Sequence, residues 1–130
     1  MIYLDSSALV KLVITEPESA GLSHWLAGRP NLIRLSSPVA RVEVARAVWR
    51  ADPGALPVCY RIMRRIREVW LTDQVLSRAA GVRPPGIRAI DAIHLASALE
   101  IRGDLTGFVA YDKRLLDAAR EAGLPAASPR

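Results

Sequence analysis

The chain has 130 residues, a length that fits one compact domain rather than two. With 51% hydrophobic and 24% charged residues, its composition excludes a disordered chain, and no apolar stretch reaches the roughly 18 residues that a membrane-spanning helix needs. The net charge of +5 favours an acidic partner such as a phosphate backbone.

Four short runs rich in apolar and β-branched residues predict strands, at residues 2–4, 32–35, 69–72 and 108–111. Helical patterns separate these runs, which indicates an α/β domain whose strands lie parallel in a sheet covered by helices. No repeat or long polar linker divides the chain, so we expect a single domain over residues 1–130.

Helix start and stop signals divide the rest of the chain. Ser6 or Ser7 is expected to cap a first helix that runs through Val13, and Ser37 followed by Pro38 begins another. Further helices are predicted over residues 18–27, 56–70, 73–80, 87–101 and 112–122, with Asp73 as the cap of the one at 73. We expect the tail after Pro125 to be loosely held.

The predicted helix over residues 56–70 is amphipathic and basic. Four arginines occupy much of the helix surface outside an apolar stripe. The stripe consists of Val58, Cys59, Ile62, Met63, Ile66 and Trp70. One interpretation is a helix packed on the sheet with a solvated arginine face. The other is a contact with a second subunit or a partner, to which Trp49 would contribute, because tryptophan and arginine are enriched at interface hot spots.

Four acidic residues stand where a strand or loop passes into a helix: Asp5, Glu43, Asp91 and Asp112. Asp5 and Asp112 each follow a predicted strand, so in a parallel sheet they should share the carboxyl edge, where ligands collect. Glu43 lies about one and a half turns into its helix, close enough to lean over the same edge. Asp91 follows a Pro-Pro-Gly break that does not fix where its helix begins.

Carboxylates gathered at one edge repel one another, and a bound cation removes that cost. Oxygen ligands without paired histidine or cysteine favour Mg²⁺, with Mn²⁺ as a substitute. Such an ion can polarise a phosphoryl oxygen and lower the pKa of an attacking water. Each acid also has a structural interpretation: Asp5 and Asp112 as helix caps, Glu43 paired with Arg46, and Asp91 paired with Arg88.

The four acidic segments together resemble a known family. They read MIYLDSSALVKL at Asp5, VEVARA at Glu43, IDAIHLASAL at Asp91 and VAYDKRL at Asp112. In order and at this length they resemble the PIN-domain ribonucleases, specifically the VapC-type toxins of toxin–antitoxin pairs.

This resemblance implies a three-layer α/β/α sandwich with a central parallel sheet, and Mg²⁺- or Mn²⁺-dependent cleavage of RNA. It also implies a homodimer and inhibition by a VapB-type antitoxin, which the segment at 56–70 could contact. Asp5, Glu43, Asp91 and Asp112 match the catalytic acids, of which Asp5, Asp91 and Asp112 are expected to hold the metal. Ser6 matches the small polar residue after the first aspartate. Ala110 departs from the family, since many relatives carry a hydroxyl residue there.

Two other functions remain open from the sequence. A haloacid-dehalogenase-like phosphatase also begins with a strand ending in aspartate, but it needs a second aspartate where Ser7 stands. A non-catalytic RNA-binding module would use the acids only as caps. His94, Asp117 and Arg114 have no assigned role. The single cysteine, Cys59, and the lack of a secretory pattern favour a reducing cytoplasm.

Overall fold

The structure, a computed structural model, describes all 130 residues. Its centre is a five-stranded sheet in the order β3-β2-β1-β4-β5, and every neighbouring pair is parallel. The strands are β1 (Ile2–Leu4), β2 (Arg34–Ser36), β3 (Arg67–Glu68), β4 (Gly107–Val109) and β5 (Ala126–Ala127).

Seven α-helices connect and cover the strands. They are α1 (Ser6–Val13), α2 (Ser19–Ala27), α3 (Ala40–Ala51), α4 (Leu56–Met63), α5 (Asp73–Ala80), α6 (Ala89–Glu100) and α7 (Lys113–Glu121). Helices α1 to α4 contact one another, and α5, α6 and α7 form a second group. None of these helices is long and apolar enough to cross a membrane.

The two helix groups lie on opposite faces of the sheet, each over its own hydrophobic core. Successive side chains of a strand point to opposite faces, and β1 follows this rule: Tyr3 enters the core that includes Phe108 and Leu115, while Ile2 and Leu4 enter the other. Both faces of the central strands are therefore buried, as is usual for parallel sheets. The three-layer α/β/α sandwich predicted from the sequence is confirmed.

The predicted helix over residues 56–70 was wrong in its second half. Helix α4 ends at Met63, and Arg67–Glu68 form the edge strand β3 beside β2. Cys59 in α4 and Ile66 in the turn after it are both buried in the core under α1 and α3, so the apolar stripe combined a helix with the turn that follows it. The predicted strand over 69–72 was also misplaced, since Thr72 is the N-cap of α5 in place of Asp73.

The C-terminal tail is held more firmly than predicted. Residues Ala126–Ala127 form β5, which pairs with β4. Beyond that strand, the Tyr111 hydroxyl donates a hydrogen bond of 2.8 Å to the carbonyl of Pro129. The strand was missed because it is two residues long and contains only alanine, which is depleted in strands.

The order of the strands defines one special position at the carboxyl edge. The chain runs outward from β1 to β2 and β3, and then returns to β4 on the other side of β1. Such a reversal opens a crevice outside the carboxyl ends of the strands, where α/β proteins bind ligands. Asp5 is fixed at this crevice, because its backbone N–H donates to the carbonyl of Val109 at 3.0 Å.

A tight contact between α2 and β4 gives a test of this packing. A Cβ added at Gly107 would lie 2.9 Å from the indole ring of Trp25, whereas at Gly103 it would meet nothing within 4 Å. We expect Gly107→Ala to lower the free energy of unfolding by about 1–3 kcal/mol, the usual cost of overpacking a core. Gly103→Ala is the control and should be nearly neutral in urea denaturation. Equal effects of both substitutions would contradict this packing.

Candidate active site at the carboxyl edge of the sheet

Asp5 joins β1 to α1 and is almost completely buried, with 4% of its surface exposed. As the N-cap of α1 it accepts hydrogen bonds on Oδ1 from the backbone N–H of Ala8 at 2.8 Å and from the Ser7 hydroxyl at 2.7 Å. Burial raises the pKa of Asp5 to about 6, and the charge of Asp91 acts in the same direction. Asp5 therefore caps α1, but keeping its buried carboxylate ionised costs free energy.

Asp112 has the equivalent position after β4. It is the N-cap of α7, where Oδ1 accepts a hydrogen bond of 2.9 Å from the backbone N–H of Leu115. Ser7 links the two strand ends, because its oxygen accepts from the backbone N–H of Tyr111 at 3.0 Å while its hydroxyl donates to Asp5. The two aspartates share the edge predicted from the sequence.

Glu43 reaches the same edge from the first turn of α3. It does not pair with Arg46, as one interpretation of the sequence expected. Its Oε1 accepts a hydrogen bond of 2.6 Å from the Ser6 hydroxyl and lies 2.8 Å from Nε2 of His94. Partial burial opposes ionisation, but the hydrogen bonds from His94 and Ser6 outweigh it and hold the pKa of Glu43 below its ordinary value.

Asp91 lies in the first turn of α6, and its Oδ2 forms an ion pair of 2.9 Å with Nε of Arg88, as its structural interpretation expected. The hydrogen bond to Asp91 and the charges of the nearby acids raise the pKa of Arg88. The Arg88 guanidinium thus supplies positive charge to the acidic cluster.

All four acids line one cleft of about 240 Å³. Arg50, Arg88, His94 and the hydroxyl residues Ser6 and Ser7 also line it. A larger hollow of about 360 Å³ lies between the loop at Pro84 and α7, but none of the four acids lines it. The chemistry of the side chains singles out the smaller cleft.

The four carboxylates share a feature that suits a hard cation. In each, one oxygen takes all the hydrogen bonds from the protein, on Oδ1 of Asp5 and Asp112, Oδ2 of Asp91 and Oε1 of Glu43, and the second oxygen takes none. The free oxygens are the ligand type that Mg²⁺ and Mn²⁺ prefer. No three of the acidic or histidine groups are spaced as a ready-made set of direct ligands. Mg²⁺ commonly keeps several waters and needs only one or two protein carboxylates.

The sequence interpretation left His94 without a role and did not name Arg50, and both line the cleft. His94 lies one turn after Asp91 on the same helix, and this spacing was the available signal. Asp117 instead pairs with Arg120 at 3.0 Å on an exposed face of α7. Ala110 is fully buried in the core and does not line the cleft.

The raised pKa of Asp5 predicts how stability changes with pH. Because its folded pKa of about 6 lies above the ordinary 3.8, protonation stabilises the fold at low pH, and this stabilisation is lost as the pH rises through 6. Asparagine is an equally good N-cap. In EDTA at pH 7.5 we therefore expect Asp5→Asn to raise the free energy of unfolding by about 1–3 kcal/mol.

Urea denaturation between pH 4 and 8 measures this effect, and the advantage of Asp5→Asn should shrink as the pH falls towards 4. The exposed Asp117→Asn is the matched control. Added Mg²⁺ should stabilise the wild type more than Asp5→Asn, since a ligand stabilises only the state that binds it. A less stable Asp5→Asn at pH 7.5 in EDTA would contradict the electrostatic interpretation.

The sequence and the structure both have known relatives. Residues 2–121 match the family described as the PIN domain. The chain is 41% identical to ribonuclease VapC47 of Mycobacterium tuberculosis, over 99% of this chain and 97% of that protein. It is 40% identical to ribonuclease VapC46 of the same species, over 98% of this chain and 97% of that protein.

The fold has a counterpart in a crystal structure of Mycobacterium tuberculosis VapC20, a sarcin-ricin loop cleaving toxin. The two superimpose with a TM-score of 0.76 over 99% of this chain and 100% of that one, at 18% sequence identity. At that identity the likeness supports the fold alone, while the more similar sequences identify the group. The chain belongs to the PIN-domain family, among the VapC ribonucleases.

Proposed function

We propose that Asp5, Glu43, Asp91 and Asp112 form the catalytic centre with which this VapC-type endoribonuclease hydrolyses RNA phosphodiester bonds. The observation that carries the proposal is their convergence. Four segments far apart in the sequence bring carboxylates to one cleft, at the position where the strand order reverses. Helix capping explains Asp5 and Asp112 individually, but it does not explain why Glu43 and Asp91 line the same cleft.

In this centre Asp5, Asp91 and Asp112 would hold the divalent cation, one or two of them directly through a free oxygen and the rest through its waters, with Mg²⁺ as the expected ion and Mn²⁺ as a substitute. The bound ion supplies charge for the phosphoryl oxygen and lowers the pKa of an attacking water. The protein contributes rigidity, because hydrogen bonds to the other oxygen of Asp5 and Asp112 come from the backbone of the helices that they cap. A fixed ligand costs no reorganisation when the substrate arrives.

Glu43 has a different role in the proposal. Its lowered pKa keeps it ionised at neutral pH, and its free Oε2 belongs to a side chain that is 31% exposed. This oxygen accepts a hydrogen bond from water in the cleft and so orients that water for attack on phosphorus. Glu43 approaches from α3, while Asp91 approaches from α6 on the other side of the sheet.

Arg50 and Arg88 are the basic residues that line the cleft, and we assign them to the phosphate backbone of the RNA. A guanidinium presents paired N–H groups that match two phosphate oxygens. A cation at Asp91 would compete with Arg88 for that carboxylate, which would free the guanidinium for substrate.

The alternative phosphatase function loses its basis at Ser7. That position would need a second carboxylate, but the Ser7 hydroxyl donates to Asp5 and its oxygen accepts from the backbone of Tyr111. Ser7 is thus committed to holding the two strand ends together. A binding module without catalysis would leave the free carboxylate oxygens without a role.

As a VapC-type ribonuclease, the chain is the toxin of a toxin–antitoxin pair, and we propose a VapB-type antitoxin and a second copy of the chain as its protein partners. Large apolar side chains are exposed on the outer side of α3: Val42 is 62% exposed and Trp49 is 59% exposed. They are seven residues apart and share one face of the helix. Each directly precedes a residue that lines the cleft, Glu43 or Arg50.

The partner surface proposed here keeps Trp49 from the sequence prediction but lies on α3 rather than on the segment at 56–70. In that segment Cys59 and Ile66 are buried and Ile62 and Met63 are partly buried, while Val58 and Trp70 are exposed. The partner face that we propose consists of Val42 and Trp49. A protein bound there borders the cleft and obstructs the approach of RNA, and Arg46 between them favours an acidic partner.

Asp112 and Asp117 provide a matched test of the catalytic centre. Asp112→Asn retains an equally good helix cap but weakens a ligand, so we expect cleavage to fall about 100-fold or more, the scale of losing one preorganised electrostatic contact. Asp117→Asn, on the exposed side of the same helix, should cleave normally. The assay incubates each purified variant with total RNA and either Mg²⁺, Mn²⁺ or EDTA, followed by mapping of the cut sites.

EDTA should abolish cleavage by the wild type, and either metal should restore it. Full activity of Asp112→Asn in Mg²⁺ would refute the assignment of Asp112 to the catalytic centre. A wild type that binds RNA without cutting it at any metal concentration would favour the binding module.

The partner face predicts a difference between two exposed apolar residues. Trp49→Ser should weaken association by about 30-fold, which corresponds to about 2 kcal/mol for a hot-spot residue. Leu76→Ser is the control, because Leu76 is 43% exposed on α5 in the opposite layer. Light scattering measures self-association, and calorimetry with a VapB-type antitoxin measures the heterologous complex. Unchanged values in both for a folded Trp49→Ser would refute this face.

A further inference from the structure

The proposed chemistry leaves one buried polar residue at the cleft without a role. His94 on α6 is 1% exposed, yet both of its ring nitrogens have partners. Nδ1 lies 2.8 Å from the Tyr3 hydroxyl, and Nε2 lies 2.8 Å from Oε1 of Glu43. A chain of hydrogen bonds therefore runs from a residue inside the core to one of the proposed catalytic acids.

The direction of these hydrogen bonds follows from the two ends. The pKa of Glu43 is lowered, so its carboxylate is ionised and can only accept, which requires a hydrogen on Nε2 of His94. In the neutral ring Nδ1 is then an acceptor. The Tyr3 hydroxyl supplies the matching hydrogen, since burial raises its pKa well above the ordinary value and keeps it protonated.

Tyr3 is a fixed starting point for this chain. It is completely buried in β1, and its ring stacks on that of Phe108 with centroids 5.5 Å apart and planes 10° apart. The same ring meets that of His94 edge to face at 5.9 Å. The imidazole therefore has its position set by the central strands of the sheet rather than by solvent-exposed groups.

Glu43 needs such an anchor because its side chain is long, flexible and partly exposed. The Ser6 hydroxyl donates to the same Oε1 at 2.6 Å, so Oε1 accepts two hydrogen bonds and Oε2 accepts none from the protein. Without His94, the Ser6 hydroxyl would be the only hydrogen-bond donor to this partly exposed side chain, and Glu43 could adopt other rotamers. The hydrogen bond also joins α3 to α6, which lie on opposite faces of the sheet.

We propose that His94, held in place by Tyr3, is a positioning residue that fixes the carboxylate of Glu43 in the orientation needed for RNA cleavage. The inference rests on the proposed function only in that Glu43 takes part in cleavage. His94 itself touches neither substrate nor the reacting atoms, and it acts through Glu43.

Two substitutions of His94 separate positioning from packing. Glutamine can still donate to Glu43 through its amide, whereas leucine fills the core and cannot donate. We expect His94→Leu to lower kcat about 10- to 100-fold with little change in KM, the scale of losing a group that orients an active-site ligand. His94→Gln should recover a substantial part of kcat even where urea denaturation finds it no more stable than His94→Leu.

Tyr3→Phe tests the other end of the chain and retains the stacked ring. It should lower kcat in the wild type but have no further effect on kcat in His94→Leu, because the hydroxyl acts only through the imidazole. An RNA that carries a mapped cut site is the substrate, at saturating Mg²⁺.

A spectroscopic measurement gives a readout that does not depend on activity. In protein with ¹⁵N-labelled histidine, Nε2 of His94 should appear protonated, and its N–H signal should shift in Glu43→Gln. The exposed His24 is the internal control. An unprotonated Nε2, or a His94 signal unaffected by Glu43→Gln, would overturn the inference.

The kinetic outcomes also distinguish the two levels of proposal. Full activity of Glu43→Gln would remove the catalytic role of Glu43 and the inference with it. An inactive Glu43→Gln beside a fully active His94→Leu would overturn the positioning role alone. Equal loss of kcat in His94→Leu and His94→Gln, in proportion to their loss of stability, would reduce His94 to a packing residue.

Discussion

The burial of the Asp5 carboxylate at the reversal of strand order is the constraint on which the rest of the site depends. Its backbone is tied to β4 through the carbonyl of Val109, so the side chain cannot withdraw to solvent without disrupting the sheet. Burial is the main cause that raises its pKa to about 6, with the charge of Asp91 acting in the same direction. The hydrogen bonds from Ser7 and Ala8 oppose this rise without removing it. The fold thus maintains a carboxylate in an environment that favours positive charge beside it.

Parallel topology supplies part of that positive charge. All four acids stand at the N-terminus of a helix: Asp5 and Asp112 are N-caps, and Glu43 and Asp91 lie in first turns. A helix N-terminus carries a partial positive charge and unpaired N–H groups. In a parallel sheet the helix that follows a strand begins at the carboxyl edge, and this rule places Asp5, Glu43 and Asp112 beside helix N-termini. Asp91 is the exception, since its helix α6 follows α5 rather than a strand. Capping and catalysis are therefore compatible roles for one residue.

The sequence was informative where local chemistry decided the structure. Asp5 and Asp112 were located correctly because each follows a short apolar strand and precedes a capped helix, and the helices around them were placed within a few residues. The segment at 56–70 was misread because α4 and the turn after it contact one core, so their apolar residues had helical spacing without forming one helix. The strand β5 could not be predicted, because its two alanines pair with β4 through backbone hydrogen bonds and form no apolar pattern. His94 and Glu43 are 51 residues apart in the sequence, on two helices that meet across the sheet. No local sequence pattern encodes such a contact.

Helix α3 carries both residues of the proposed catalytic cleft and the proposed partner face. Glu43 and Arg50 face the cleft, while Val42 and Trp49, one residue earlier in each case, are exposed beside it. A step of one residue turns a helix by about 100°, so a partner on the second face lies against the entrance of the first. Because α3 is also held to α6 by the Glu43–His94 hydrogen bond, a partner that shifted α3 would disturb the orientation of the proposed catalytic carboxylate. A partner on the proposed face would then need no separate regulatory site, since obstruction of RNA and a shift of Glu43 would both arise from binding to one helix.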